Sequence, residues 1–303
     1  MKSVQLLFTL LITGAFLSSC TIENDLYEIS LEEVVSKYDL WYIDYHKTTG
    51  TGNVPFLSKA FTVSFLNGTL YANNNIVDIG ISGNGLGIRV GNYNTYNGFL
   101  ETNHILDGGY DFEVYQTSVN EIQIKDSYNN VIYYLVGYQR NNFDYDKLFY
   151  ENIEYFLEEY IAWEKTSTSI SGVVNAFDDE MFLQFTPENN TTFYSSVDPF
   201  GTTIDTIDWD FIGGYQIYDI ENYENLKVLT LNYDNGDYEE FELSVINDNK
   251  IRLYHIGSKT TYEFNGRGFI RYLKGGTPKS TVRNSGRKRT KIKRETKIRR
   301  HLK

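Results

Sequence analysis

The pattern Tyr-x-x-Trp closes a predicted helix twice in this chain, at Trp41 and at Trp163, an offset of 122 residues (163 − 41). A repeat of that period in 303 residues makes two homologous domains the first expectation, ahead of any residue-level reading. In the first copy, Ser30-Leu31-Glu32-Glu33 carries a capping-box pattern, with Ser30 placed to accept from the Glu33 amide, and opens a short amphipathic helix through Tyr38. In the second, Tyr150 to Tyr160 sets Ile153, Phe156, Leu157 and Tyr160 on one helical face. The segments after the two tryptophans also match. Phe61-Thr62-Val63-Ser64-Phe65 turns at Asn67-Gly68 into Thr69-Leu70-Tyr71, and Phe182-Leu183-Gln184-Phe185 passes through Pro187-Glu188-Asn189-Asn190 into Thr192-Phe193-Tyr194. Late in each copy stands Asn-x-Ile-x-Ile/Leu, at Asn120 to Ile124 and Asn249 to Leu253. Each leads into a tyrosine-rich strand, Val131 to Tyr138 and Thr261 to Phe264.

The strands are legible in the second copy. Val228 to Tyr233, a turn at Asn235-Gly236 and Asp237 to Ile246 read as a hairpin, because Asn-Gly accepts the positive φ angles of a type I′ turn. Phe241, Leu243 and Val245 alternate with Glu240, Glu242 and Ser244, the mark of an antiparallel sheet with one wet face. An aromatic content of 16% excludes an intrinsically disordered chain except at its ends. A short helix, a tryptophan opening the first strand and a meander able to close on itself resemble the lipocalin-like β-barrel plan. The chain departs from that family's Gly-x-Trp motif, since Trp41 follows Asp39-Leu40 and Trp163 follows Ile161-Ala162. The expected fold is mainly β: two tandem antiparallel barrels, each preceded by a short α-helix. The expected bounds are 29–146 and 147–273.

The first residues read as an address. Lys2 supplies a positive charge, and Leu6 to Leu17 supply an apolar run too short to span a bilayer, which takes about 20 residues. Leu17-Ser18-Ser19-Cys20 then places the single cysteine after small residues. This resembles the lipobox of bacterial lipoproteins, which implies cleavage after residue 19, acylation of Cys20 and a lipid-anchored protein of the outer membrane. Two or three acyl chains suffice for stable anchoring. Thr21-Ile22-Glu23-Asn24-Asp25, within a tether over 20–28, is similar to the acidic export signals of surface lipoproteins in Bacteroidetes.

Charge reverses at the other end. Residues 274–303 hold 13 Lys or Arg and one acid, leaving 15 bases and 39 acids in the rest, so the body carries −24 and the tail +12. Arg287 to Arg294 show no core-forming pattern, and Gly275-Gly276-Thr277-Pro278 separates them from the last strand, so the tail is expected to be disordered in isolation. It could remain solvated, bind polyanions such as lipopolysaccharide phosphates or extracellular nucleic acid, or fold back on the acidic body.

Motifs of catalysis are scarce. Gly83-Asn84-Gly85-Leu86-Gly87 lacks the strand-to-helix context of a phosphate-binding loop and reads as a loop between strands. There is no P-loop and no Gly-x-Ser-x-Gly nucleophile elbow. The acidic clusters Asp178-Asp179-Glu180, Asp205 with Asp208 and Asp210, and Asp234 with Asp237 could hold calcium or act as acid–base pairs, yet none has EF-hand spacing. One cysteine and four histidines leave little for a metal centre, and His46, His104 and His255 share no ligand spacing. No catalytic, cofactor or metal residues are therefore expected. Trp41, Trp163 and the tyrosines fill barrel interiors or line a pocket for a small apolar or glycan ligand. Asp205-Thr206-Ile207 resembles the short O-glycosylation pattern of exported Bacteroidetes proteins, with Thr206 as acceptor.

Tyr38 to Lys47, the half beginning Tyr160-Ile161-Ala162-Trp163-Glu164-Lys165, and the basic tail together resemble a flavobacterial lipoprotein family. Its members often carry the name nicotinate mononucleotide adenylyltransferase. That activity uses a His-x-Gly-His loop on a doubly wound α/β sheet, and here no histidine follows a glycine. The function expected is a non-enzymatic binding or interaction module on a membrane anchor. The alternatives are a carboxylate-dependent enzyme on an envelope substrate and a purely structural surface protein.

Overall fold

The computed structural model describes residues 29–187, 191–272 and 288–299. The expected signal, Cys20 and the tether lie outside these residues, as does most of the Pro187–Asn190 turn.

Helix α1 (Leu31–Ser36) leads into eight antiparallel strands: β1 (Leu40–Gly50), β2 (Thr62–Leu66), β3 (Thr69–Asn73), β4 (Ile88–Tyr96), β5 (Phe99–His104), β6 (Gly108–Ser118), β7 (Glu121–Asp126) and β8 (Val131–Tyr138). Each pairs with the next, and β8 returns to β1 with Trp41 opposite Gly137, closing a barrel with no free edge. Helices α2 (Tyr145–Glu151) and α3 (Ile153–Leu157) then lead into the second set. It comprises β9 (Tyr160–Ile170), β10 (Phe182–Thr186), β11 (Thr192–Ser196), β12 (Phe211–Ile220), β13 (Tyr223–Tyr233), β14 (Tyr238–Asn247), β15 (Lys250–His255) and β16 (Thr261–Phe269). β16 pairs with β9 and β11 with β12, so this barrel closes too. The molecule is thus two tandem eight-stranded barrels of lipocalin-like plan.

The repeat is structural down to single hydrogen bonds. Trp41 Nε1 donates to the Val35 carbonyl at 2.8 Å, and Trp163 Nε1 to the Leu157 carbonyl at 2.8 Å, both six residues back. The Tyr38 hydroxyl donates to the Val119 carbonyl and the Tyr160 hydroxyl to the Asp248 carbonyl. The amides of Gly137 and Gly266 donate to the Asn120 and Asn249 carbonyls, each at 2.8 Å. Each tyrosine ring lies flat over its glycine, where a Cβ would come within 2.4 Å of the Tyr38 ring or 2.6 Å of the Tyr160 ring. Only glycine fits there.

Two local expectations differ from the structure. The helix read over 150–160 is two short helices broken at Asn152, whose side chain donates to the Leu148 carbonyl at 3.0 Å and ends the first of them. The Asn235-Gly236 turn is not type I′. Only Gly236 has positive φ, and Tyr233 N donates to the Asp237 carbonyl across a four-residue loop. By contrast, both Asn67 and Gly68 have positive φ, as a type I′ turn requires. Of the three readings of the tail, part of it follows the one in which it folds back on the acidic body. Residues 288–299 lie along the body, and β17 (Thr296–Lys297) pairs in parallel with Asp219 and Ile220 of β12. It takes the side of β12 that β11, paired only from Phe211 to Gly214, leaves free.

The described residues from Leu31 onward form one compact unit. On β1, Trp41 and Ile43 face the first barrel's core, whereas Leu40 and Tyr42 join a second cluster with Phe149, Ile153 and Phe156 of the linking helices. That cluster runs on into the interior of the second barrel, so the two barrels share a core across their junction.

Candidate functional site

The barrel interiors are filled. Trp41, Phe112 and Tyr133 occupy the first, and Trp163, Phe177, Tyr215 and Tyr262 the second, all fully buried. The second interior also holds charge. Lys165 Nζ donates to the Phe177 and Asp178 carbonyls at 3.0 Å each and lies 4.6 Å from the Tyr262 ring centre. Burial pulls this ammonium down to about 8, against the pull of the Glu180 and Asp178 carboxylates. Glu180 accepts from the Tyr233 hydroxyl at 2.8 Å, and burial raises its carboxyl to about 6. Tyr233 and Glu180 thus answer each other, Lys165 answers main-chain carbonyls, and all three side chains are buried.

The outside of the junction is different. A cleft of about 830 Å³ opens between the barrels, lined by His46, Lys147, Glu151, Asp219, Lys227 and Arg294 among others. The strap of residues 288–299 runs along it. Arg289 is its anchor, only 1% exposed. β1 and β2 stay paired at Trp41 and Tyr42 and then diverge. The guanidinium fills the gap, donating to the carbonyls of Ile43 (2.8 Å) and Ala60 (3.0 Å) and to Asn152 Oδ1 (2.9 Å). It sits 4.5 Å from the Phe61 ring centre and 5.2 Å from that of Tyr45. Its amide donates to the Ser58 carbonyl at 3.0 Å. Burial lowers the guanidinium pKa, and the carbonyl dipoles and ring faces hold the charge in place.

Beyond the anchor the strap is held by paired charge. Arg294 meets Glu154 in two hydrogen bonds of 2.6 and 3.1 Å, both side chains buried, with Asp219 at 3.6 Å. Lys297 pairs with Glu240 at 2.8 Å over the Tyr218 ring, and Arg299 pairs with Glu242 at 2.9 and 3.0 Å over the Tyr223 ring. Glu240 and Glu242 are the residues whose alternation marked the wet face of β14. That face is where the strap lands.

Glu159, fully buried at the head of β9, ties the barrels together. Its carboxylate accepts from the amides of Ile76 (2.9 Å) and Val77 (3.0 Å), and burial raises its carboxyl to about 8. Asn74 and Asn75 add bonds to Tyr272 and Ile270 across the same junction.

The residues singled out from sequence scatter. Thr206 is exposed on a short 3-10 turn (Ile204–Thr206), its hydroxyl donating to the Thr203 carbonyl. Asp178 caps its own turn and accepts from Tyr262, Asp210 accepts from Val197 N, and Asp237 bonds Asn235. Among the described residues no three His, Cys, Asp or Glu side chains converge as a metal site. The glycine-rich loop joins β3 to β4, as expected, with Asn84 presenting its carbonyl to Arg140.

One chain of groups imitates a triad: Ser258 Oγ lies 2.7 Å from His255 Nδ1, and His255 Nε2 lies 2.6 Å from Glu239. Ser258 and His255 are both buried, and the Ser258 amide also donates to Nδ1, so the imidazole caps a turn. The equivalent place in the first barrel shows the same device, since Asp126 caps the Asn129 amide at 2.9 Å. The imidazole thus serves the turn, as Asp126 does in the first barrel.

No family model matches the chain, and no curated protein matches it significantly. Among the described residues no helix is long and apolar enough to cross a membrane.

Proposed function

We propose that the chain is an envelope lipoprotein, anchored through Cys20 in the outer membrane, that acts as a non-enzymatic interaction module through the outside of its barrels. The lipobox-like Leu17-Ser18-Ser19-Cys20 supports the anchor. The observation that carries the module is the groove at the barrel junction, which seats an arginine-rich extended segment while both interiors are packed with aromatic side chains. A surface that buries a guanidinium against two main-chain carbonyls and sets carboxylates opposite three further bases is built to grip a chain, not to transform a small molecule.

Native mass spectrometry of the protein extracted in mild detergent from its host, beside Cys20→Ala, tests this reading. The expected result is an acylated mass lost in the variant and no small molecule released on gentle activation. An unmodified Cys20 would overturn the anchor. A ligand shed from a barrel would overturn the outer-surface reading. The same spectra show whether Thr206 carries a glycan.

A further inference from the structure

We propose that residues 288–299 exchange between two copies of this chain, each strap seated in the other copy's groove. The inference rests on the interaction-module reading and names its partner. Every contact of the strap is of a kind that does not depend on which chain supplies it: two parallel ladder residues on a free edge, one guanidinium in a socket, three charge pairs. The strap belongs to neither barrel's closed ladder. Fifteen residues, 273–287, separate Tyr272 from Lys288. Extended, they reach on the order of 50 Å, enough to cross to a neighbouring molecule.

Charge permits the exchange. A −24 body and a +12 tail complement each other as well between two chains as within one, and mutual exchange makes the pair a closed, self-complementary dimer. Copies anchored in one membrane meet at high local concentration, which favours the exchanged form over the monomer without a new contact.

The test uses two full-length variants in mild detergent, Glu240→Lys with Glu242→Lys, and Lys297→Glu with Arg299→Glu. Each sets like charges against each other within one chain, at pairs exposed enough to leave both barrels folded, and heat melts of each confirm that. Mixed, they can satisfy every pair by exchange, because the native strap meets the native groove and the reversed strap the reversed groove. The expected result is monomers from each variant alone and conversion of most of the mixture to a one-to-one pair in native mass spectra. Light and heavy isotope-labelled wild-type chains, mixed, are expected to give dimers of intermediate mass. A mixture that stays monomeric overturns the proposal, provided that the four-fold variant regains wild-type protection of the strap. A four-fold variant that fails to regain it overturns the charge pairing on which exchange depends. The acylated mass is read separately, so failure of the anchor and failure of exchange are distinguishable.

Discussion

In the first barrel, Tyr38 lies across Gly137 and edge-on to Trp41, and in the second, Tyr160 lies across Gly266 and edge-on to Trp163. Away from that corner the copies part. Ile43 faces the first core where Lys165 faces the second, and Tyr42, buried against the linking helices, stands where Glu164 pairs with Arg267. Lys37 is exposed at the position of the buried Glu159. The corner admits no variation because ring and backbone meet with no room for a methyl group. Elsewhere a position tolerates any residue whose polar atoms find partners. The second barrel supplies such partners itself, with Lys165 bonding the Phe177 and Asp178 carbonyls and Tyr233 bonding Glu180. The first has a largely apolar core and takes its buried guanidinium, Arg289, from the far end of the chain.

The largest effects are expected at the shared corner. Trp41→Ala and Trp163→Ala each remove a fully buried ring, at a cost of about 3–5 kcal/mol in denaturant melts. Losses that differ by more than half would break the equivalence of the two copies. Next comes Arg289→Ala, which leaves two carbonyls and the Asn152 amide unanswered and is expected to cost about 2–4 kcal/mol, with no rescue by lysine, whose point charge cannot span three acceptors. Hydrogen exchange is expected to locate that loss in β1 and β2, in the strap and in the β12 amides that the strap covers, and to leave the rest of the second barrel unchanged.

A smaller effect concerns Glu159. Its carboxyl is raised to about 8 by burial, so the folded state holds a proton that the unfolded chain releases in the ordinary carboxylate range. Its contribution is therefore full at low pH and lost as pH rises through about 8. Glu159→Gln is expected to flatten the fall in melting temperature between pH 6 and pH 8.5. An unchanged slope would place that titration elsewhere. The smallest effect is expected for His255→Asn, which can cap its turn as Asp126 does and should cost less than about 1 kcal/mol in a thermal melt.

The corner is readable in the sequence because it is written in residue types that have few substitutes: a tryptophan, a tyrosine three residues before it, and Asn-x-Ile opening β7 and β15. The alternation around Phe241 likewise declares an antiparallel strand and its wet face. The break at Asn152 is hidden because the apolar spacing continues across it, and the break is made by side-chain bonds to Leu148 and Tyr42. The Asn235-Gly236 loop escapes the type I′ pattern because Asp237 adds a residue that lets only Gly236 take positive φ.

The strap is the least legible element. Its pattern has no apolar period, and the socket for Arg289 is made mostly of main-chain carbonyls, which leave no mark in a sequence. The charge imbalance between tail and body is the one available signal. It names the partner surface only as acidic, and the pairing of Lys297 with Glu240 and Arg299 with Glu242 needs the register of β14 as well.

Amide hydrogen exchange of the full-length chain, read residue by residue from 288 to 299, tests the seated strap most directly. Slow exchange is expected at Arg289, whose amide is bonded to the Ser58 carbonyl, and in the Asp219 and Glu221 amides that bond the Glu295 and Lys297 carbonyls. Those rates should rise together in Arg289→Ala. Exchange at unprotected rates throughout the strap, with both barrels still protected, would contradict the groove as the molecule's binding surface.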